Sequence, residues 1–154
     1  MSDLSTDLKK NLRGRLCVVG VGNRLRGDDA AGPELIDRLG GQGRLHCLDA
    51  GVAPENYLEK IVQIKPDTVL LVDAIDFGGA AGALRFLPAE QVAGGGLSSH
   101  ALSLQVACDY LRQRASVRIF ILGIQPAQLK LNSPLSVAVS AAVAKLALAL
   151  DALA

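Results

Sequence analysis

Residues Cys17 to Gly32 read CVVGVGNRLRGDDAAG. The segment opens as a short apolar run closed by glycine, the pattern of a buried strand. It breaks at Gly20-Val21-Gly22-Asn23, a turn in which Gly or Asn can adopt positive φ. Two adjacent carboxylates follow, Asp28 and Asp29, just ahead of Leu35, Ile36 and Leu39, whose spacing is helical. Strand, glycine turn and helix in that order place the acid pair at the carboxyl edge of a parallel sheet, where open α/β folds hold their ligands. One aspartate suffices to cap a helix. A second, in a turn that also contains Arg24 and Arg26, is either solvated or engaged with a ligand.

Outward from this segment, strands and helices alternate. Arg44 to Asp49 reads as a second strand, and Pro54 suits the first turn of a helix whose apolar stripe is Leu58, Ile61 and Val62. Thr68 to Asp73, TVLLVD, is the continuous β-branched and leucine run of a parallel strand buried on both faces, and it ends on a carboxylate at the same sheet edge. Ala83 to Leu87 reads as a shorter strand near a sheet edge. Residues 92–100, VAGGGLSSH, read as a flexible segment entering a helix from Ala101 to Gln113, with His100 at its entrance. Ser116 to Gly123 is the expected last strand, and a helix from Pro134 through Leu153 closes the chain. No internal repeat or second core is visible. The expected fold is a single-domain, three-layer α/β/α sandwich over residues 15–154, with a mostly parallel twisted sheet of about five strands and helices on both faces. Residues 1–14 are expected to be a polar, disordered extension.

Composition narrows the function. At 154 residues the chain is long enough to bury one core without a metal or a disulfide. Half of its residues are apolar but only 3% are aromatic, so Leu, Val, Ile and Ala must build that core. A net charge of +1 with both signs interspersed argues against a nucleic-acid surface. The most apolar stretch is interrupted by Lys130, Lys145 and Asp151, which argues against a membrane span. The three cysteines, Cys17, Cys47 and Cys108, lack C-x-x-C spacing and read as buried free thiols in a reducing compartment. No apolar secretory segment stands at the N-terminus, so the expectation is a cytoplasmic protein, with a monomer as the favoured state.

Three polar sites converge by topology: Asp28-Asp29 after the first strand, Asp73 at the end of the TVLLVD strand, and His100 at a helix start. Two carboxylates and one imidazole form a plausible ligand set for a borderline divalent metal, with positions left for water or substrate. Singly, each has a plainer reading. A lone His in a loop is usually solvated or hydrogen-bonded, and a strand-end Asp often holds the next turn. His46, the competing imidazole, falls within a predicted strand.

The sequence resembles the hydrogenase maturation endopeptidases, which process the large subunit of [NiFe] hydrogenases. The likeness is carried by Gly20-Val21-Gly22-Asn23 with Gly27-Asp28-Asp29-Ala30-Ala31-Gly32-Pro33, by Leu48-Asp49-Ala50-Gly51 and by Ala53-Pro54-Glu55-Asn56. It continues through Val72-Asp73-Ala74, His100 and Leu122-Gly123-Ile124-Gln125-Pro126. These blocks look most like the hydrogenase 3 branch, which serves formate hydrogenlyase complexes. The resemblance implies a metal site at Asp29, Asp73 and His100 and catalytic roles among Asp29, Asp73 and Asp28. It implies that nickel already inserted in the precursor of a [NiFe]-hydrogenase large subunit is the recognition signal, with cadmium or zinc able to substitute. One cut then releases a short C-terminal peptide. Ala30 departs from the glycine that many relatives carry, without touching a ligand position.

No Ser or Cys is paired with a His in a nucleophile motif, and the H-E-x-x-H helix of a conventional zinc protease is absent. The expected chemistry is attack by water, assisted by a carboxylate of the Asp28-Asp29-Asp73 group or by polarisation at the metal. Two other readings stand beside this one. A non-catalytic chaperone could sense nickel in the immature subunit through the same ligands. A nucleotide or adenosyl-cofactor module would use Gly20-x-Gly22 and Asp49, although Leu25 replaces the third glycine and the acid pair would repel a phosphate. Gln125-Pro126 reads as a structural turn rather than part of a substrate cleft.

Overall fold

Successive side chains of a strand leave on opposite faces, and here the two sets meet different helices. A computed structural model describes residues 3–92 and 100–154. Its strands are β1 (Leu16–Val21), β2 (Leu45–Gly51), β3 (Thr68–Ala74), β4 (Leu84–Pro88) and β5 (Arg118–Ile124), in one sheet ordered β2-β1-β3-β5-β4. The β1–β2, β1–β3 and β3–β5 pairs are parallel, while β4 lies antiparallel on β5 at the edge, where Pro88 ends it at no cost to a central ladder. The helices are α1 (Leu4–Asn11), α2 (Ala31–Arg38), α3 (Leu58–Ile64), α4 (Ala101–Arg114) and α5 (Val137–Asp151). Leu16, Val18, Leu70, Val72, Phe120 and Leu122 face α1, α2 and α5 through Leu8, Leu35, Val143 and Leu146. Cys17, Val19, Val69, Leu71, Ile119 and Ile121 face α3 and α4 through Leu58, Ile61, Leu104 and Leu111. This is the three-layer α/β/α sandwich expected from the alternation.

Two expectations are corrected. Among its described residues, the N-terminal segment is not a disordered polar extension: Leu4, Leu8 and Leu12 recur every four residues, and Leu8 and Leu12 are fully buried in the core that α5 shares. The stripe is sparse because only one residue in four carries it, and the polar residues between obscure it. Polar ties reinforce the docking, since Arg44 donates to the carbonyls of Leu12 and Gly14, and Thr68 Oγ1 to that of Arg13. The closing helix begins at Val137 rather than near Pro134, because Ser136 is its N-cap and its hydroxyl accepts from Val139 N–H. The glycine-rich stretch 93–99, expected to be flexible, lies outside the described residues.

The strand order explains where a ligand can sit. From β1 the chain steps one way to β2 and then returns to the other side of β1 for β3, so the connections leave β1 and β3 in opposite directions. A crevice opens at such a switch point, outside the carboxyl ends of the strands. Asp73 is the penultimate residue of β3 there, and α2 begins there on one face while α4 begins on the other. Two glycines let α2 approach. A Cβ on Gly32 would stand 2.5 Å from Val21 O and 2.6 Å from Val72 O, and one on Gly22, at φ +150, only 1.8 Å from Asp29 O. Glycines in the G-x-G turn therefore serve close packing of helix on sheet rather than a pyrophosphate.

Candidate metal centre

Asp28 and Asp29 sit in a 3-10 turn, Gly27–Ala30, that leads directly into α2. Neither caps α2, because the two carboxylates are directed apart. Asp29 is fully buried, and its Oδ2 accepts from the backbone N–H of Asn23 at 2.9 Å and lies 3.1 Å from His100 Nε2. Its Oδ1 is buried without a hydrogen-bond partner among the described residues. Asp73 is also fully buried, in the central strand. One donor atom from each of Asp29, Asp73 and His100 lies within 4.8 Å of the others. The three residues proposed from sequence as metal ligands are thus brought together from a turn, a strand and a helix entrance.

The electrostatics couple them. Burial pushes the Asp29 carboxyl up, but the His100 hydrogen bond, the Asn23 N–H and the charges of His100 and Arg26 outweigh it and hold the pKa below the usual carboxylate value. For His100 the Asp29 bond is the main cause of a raised pKa; burial opposes it, and the Asp73 carboxylate adds to it. The two buried carboxylates thus favour the protonated form of the imidazole. Removing the proton would leave an oxygen- and nitrogen-lined space suited to a borderline divalent cation. With Asp29 Oδ1 buried and unengaged, these residues fit a cation.

Asp28 does something else. It is fully buried, and its two oxygens accept from Ala127 N–H (2.8 Å), Gln128 N–H (3.2 Å), Ser136 N–H (2.7 Å) and Ser136 Oγ (2.9 Å). Those four bonds, three on Oδ2 and one on Oδ1, make it an anchor for the connection between β5 and α5. Sequence reasoning missed Ser136 and Asn23. Ser136 was legible as an N-cap before an apolar run, whereas nothing marks the Asn23 backbone N–H as a partner of Asp29.

Other candidates resolve without ligands. Asp49, the ribose-binding residue of the nucleotide reading, is engaged by Arg24 at 2.8 Å and accepts from Gly51 N–H, and Arg24 also pairs with Asp37 at 2.7 Å. His46 lies within β2, paired in register with Cys17. Gln125 is buried and fastens the loop after β3: its Oε1 accepts from Phe77 and Gly79, and its Nε2 donates to Asp76. The three cysteines are free thiols, and burial pushes Cys17 up to about 12 and Cys47 and Cys108 to about 11, so they are inert at neutral pH.

A doubly wound α/β protein with a buried carboxylate-imidazole cluster at its switch point is the class that this geometry defines. The model of the HycI hydrogenase maturation proteases matches residues 32–151. The chain is 36% identical over 109 residues to the hydrogenase 3 maturation protease of Escherichia coli K12, 69% of each chain. It is 29% identical over 136 residues to a putative hydrogenase maturation protease of Methanocaldococcus jannaschii, 82% of this chain and 80% of that one. Its fold is similar to the crystal structure of the [NiFe] hydrogenase maturation protease HycI from Thermococcus kodakarensis KOD1, with a TM-score of 0.86 and 31% identity over 95% of this chain and 97% of that one. The solution structure of the endopeptidase HycI from Escherichia coli matches with a TM-score of 0.78 and 28% identity over 89% of each chain. The chain belongs to the hydrogenase maturation protease family and is an endopeptidase. Among the described residues, no helix is long and apolar enough to cross a membrane.

Proposed function

We propose that this endopeptidase removes a C-terminal peptide from the precursor of a [NiFe]-hydrogenase large subunit after nickel insertion, and that Asp29, Asp73 and His100 recognise the nickel of that substrate. The reading is supported by family membership and, above all, by the convergence of three donor atoms within 4.8 Å at the switch point. Oxygen and imidazole donors suit a cation that remains chiefly in the substrate's keeping, because they add ligands without competing as thiolates for it. Held by Asp29, Asp73 and His100, the substrate's nickel would supply charge stabilisation to the scissile carbonyl oxygen. The proton of an attacking water passes to a carboxylate of the Asp28-Asp29-Asp73 group, with Asp29 and Asp73 in the three-residue cluster, and from there to the departing amide nitrogen.

The test is a nickel-loaded precursor incubated with the protein, followed by the mass of the large subunit. The expected result is one cleavage near the C-terminus, lost in Asp29→Ala, Asp73→Ala and His100→Ala and retained in His46→Ala. An unchanged mass with a stable complex would establish the nickel-sensing chaperone instead. Full processing by any of the first three variants would show that the cluster is not the working site.

A further inference from the structure

The Asn23 N–H that holds Asp29 Oδ2 belongs to a turn fastened on both sides of it. Before it, Gly22 N–H donates to Gly51 O at 2.8 Å, which ties the end of β1 to the end of β2. After it, Asn23 accepts twice, its carbonyl from Arg26 N–H at 3.1 Å and its Oδ1 from Leu25 N–H at 2.9 Å. Arg24 stands between these contacts, and its guanidinium joins the turn to two other elements. It forks onto Asp37 of α2, with bonds of 2.7 and 2.9 Å to the two carboxylate oxygens, and donates at 2.8 Å to Asp49 Oδ2 in β2 and at 3.4 Å to Pro33 O. Asp49 Oδ1 in turn accepts from Gly51 N–H at 3.0 Å, so one side chain links α2 to the strand end against which Gly22 is held.

Folding stability does not account for this arrangement. The Arg24, Asp37 and Asp49 side chains are 44%, 54% and 33% exposed, and ion pairs this open to water add little to stability. A guanidinium that answers two carboxylates at once is instead a geometric device, because its donors leave a rigid plane in fixed directions.

We propose that Arg24 is a positioning residue of the metal centre: by bracing the turn between β1 and α2 against Asp37 and Asp49, it keeps the Asn23 N–H on Asp29 Oδ2 and so sets how the Asp29 carboxylate faces the cation. The inference rests on the reading of Asp29, Asp73 and His100 as the ligands of that cation. With Oδ2 anchored, Asp29 Oδ1 stays buried without a hydrogen-bond partner among the described residues. Arg24 bonds to none of the three ligands; its effect arrives through the backbone one residue earlier.

Arg24→Leu is the primary test, read as the affinity of the isolated protein for cadmium and for nickel by calorimetry. Sign separates positioning from simple charge. Loss of a positive charge beside the turn would by itself leave cation binding unchanged or tighter, whereas loss of the brace weakens it. Expected is a dissociation constant about tenfold higher, the size of effect that removing support behind a metal ligand commonly has. The metal-free Tm is expected to stay near the wild-type value, and the Asn23 amide to exchange faster while those of β3 do not. Because Arg24 acts through Asp49, Arg24→Leu with Asp49→Asn is expected to bind no more weakly than Arg24→Leu alone. The kcat/KM for nickel-loaded precursor is expected to fall by the same factor as the affinity. Cadmium binding in Arg24→Leu that equals or exceeds that of wild type overturns the brace alone, and so do losses that add in full in the double variant. A wild-type protein that binds neither cation overturns the ligand reading and the brace with it.

Discussion

The hydrogen bond between Asp29 and His100 lowers the one pKa and raises the other, which is measurable in the metal-free protein. With its pKa raised above the ordinary 6.5, His100 contributes stability that is fully present below that value and is lost as pH rises through the folded-state pKa. Asp29, with its pKa below 3.8, contributes stability present above that value and lost as pH falls through its depressed one. The pair therefore stabilises the interval between the two titrations. A ring-proton NMR titration should give His100 a midpoint above 6.5 and return it toward that value in Asp29→Asn. A wild-type midpoint at or below 6.5 would mean that the ion pair does not form in solution. Protons and metal compete for the same Nε2, so affinity for added nickel or cadmium should weaken as pH drops below the His100 midpoint.

Secondary structure elements divide between those announced by pattern and those announced only by partners. β3 was legible because TVLLVD, a continuous β-branched and leucine run, is the least ambiguous element in the chain, and the acid pair was legible because a glycine turn leads into a helical stripe. α1 was not, since its evidence is two or three leucines whose burial depends on a groove beside α5 that no local window contains. The packing predicts that Leu8→Ala costs about 2–5 kcal/mol, as other buried leucine truncations do. Leu148→Ala, on the exposed face of α5 at 76% exposure, should stay within about 0.5 kcal/mol of wild type. Urea unfolding followed by circular dichroism measures both, and equal midpoints for the two variants would show that α1 is not part of the cooperative unit. The distinct roles of Asp28 and Asp29 were hidden for a similar reason. Two identical neighbours in sequence differ only in what stands opposite each: the 127–136 connection for one, His100 from the far face of the sheet for the other.

Across the whole molecule, the cluster joins parts that no single core connects. Asp29 comes from the start of α2, which packs on one face of the sheet; His100 comes from the start of α4, which packs on the other; Asp73 comes from the central strand between them. A cation shared by the three would tie both helical layers to the sheet and exist only in the folded chain, so binding must stabilise folding by mass action. At a free metal concentration about 100 times the dissociation constant, the gain is about 2.7 kcal/mol. For a domain of this size that is a rise in Tm of roughly 5–10 °C. Scanning calorimetry with nickel, and separately with cadmium, should show the rise in wild type and in His46→Ala, its loss in His100→Ala and Asp73→Ala, and its reversal by a chelator. The stabilised unit should unfold in one transition, because the ligands come from both sides of the sheet. A metal that raised Tm equally in His100→Ala would be bound elsewhere, and a metal that split unfolding into two steps would be gripped by one layer alone.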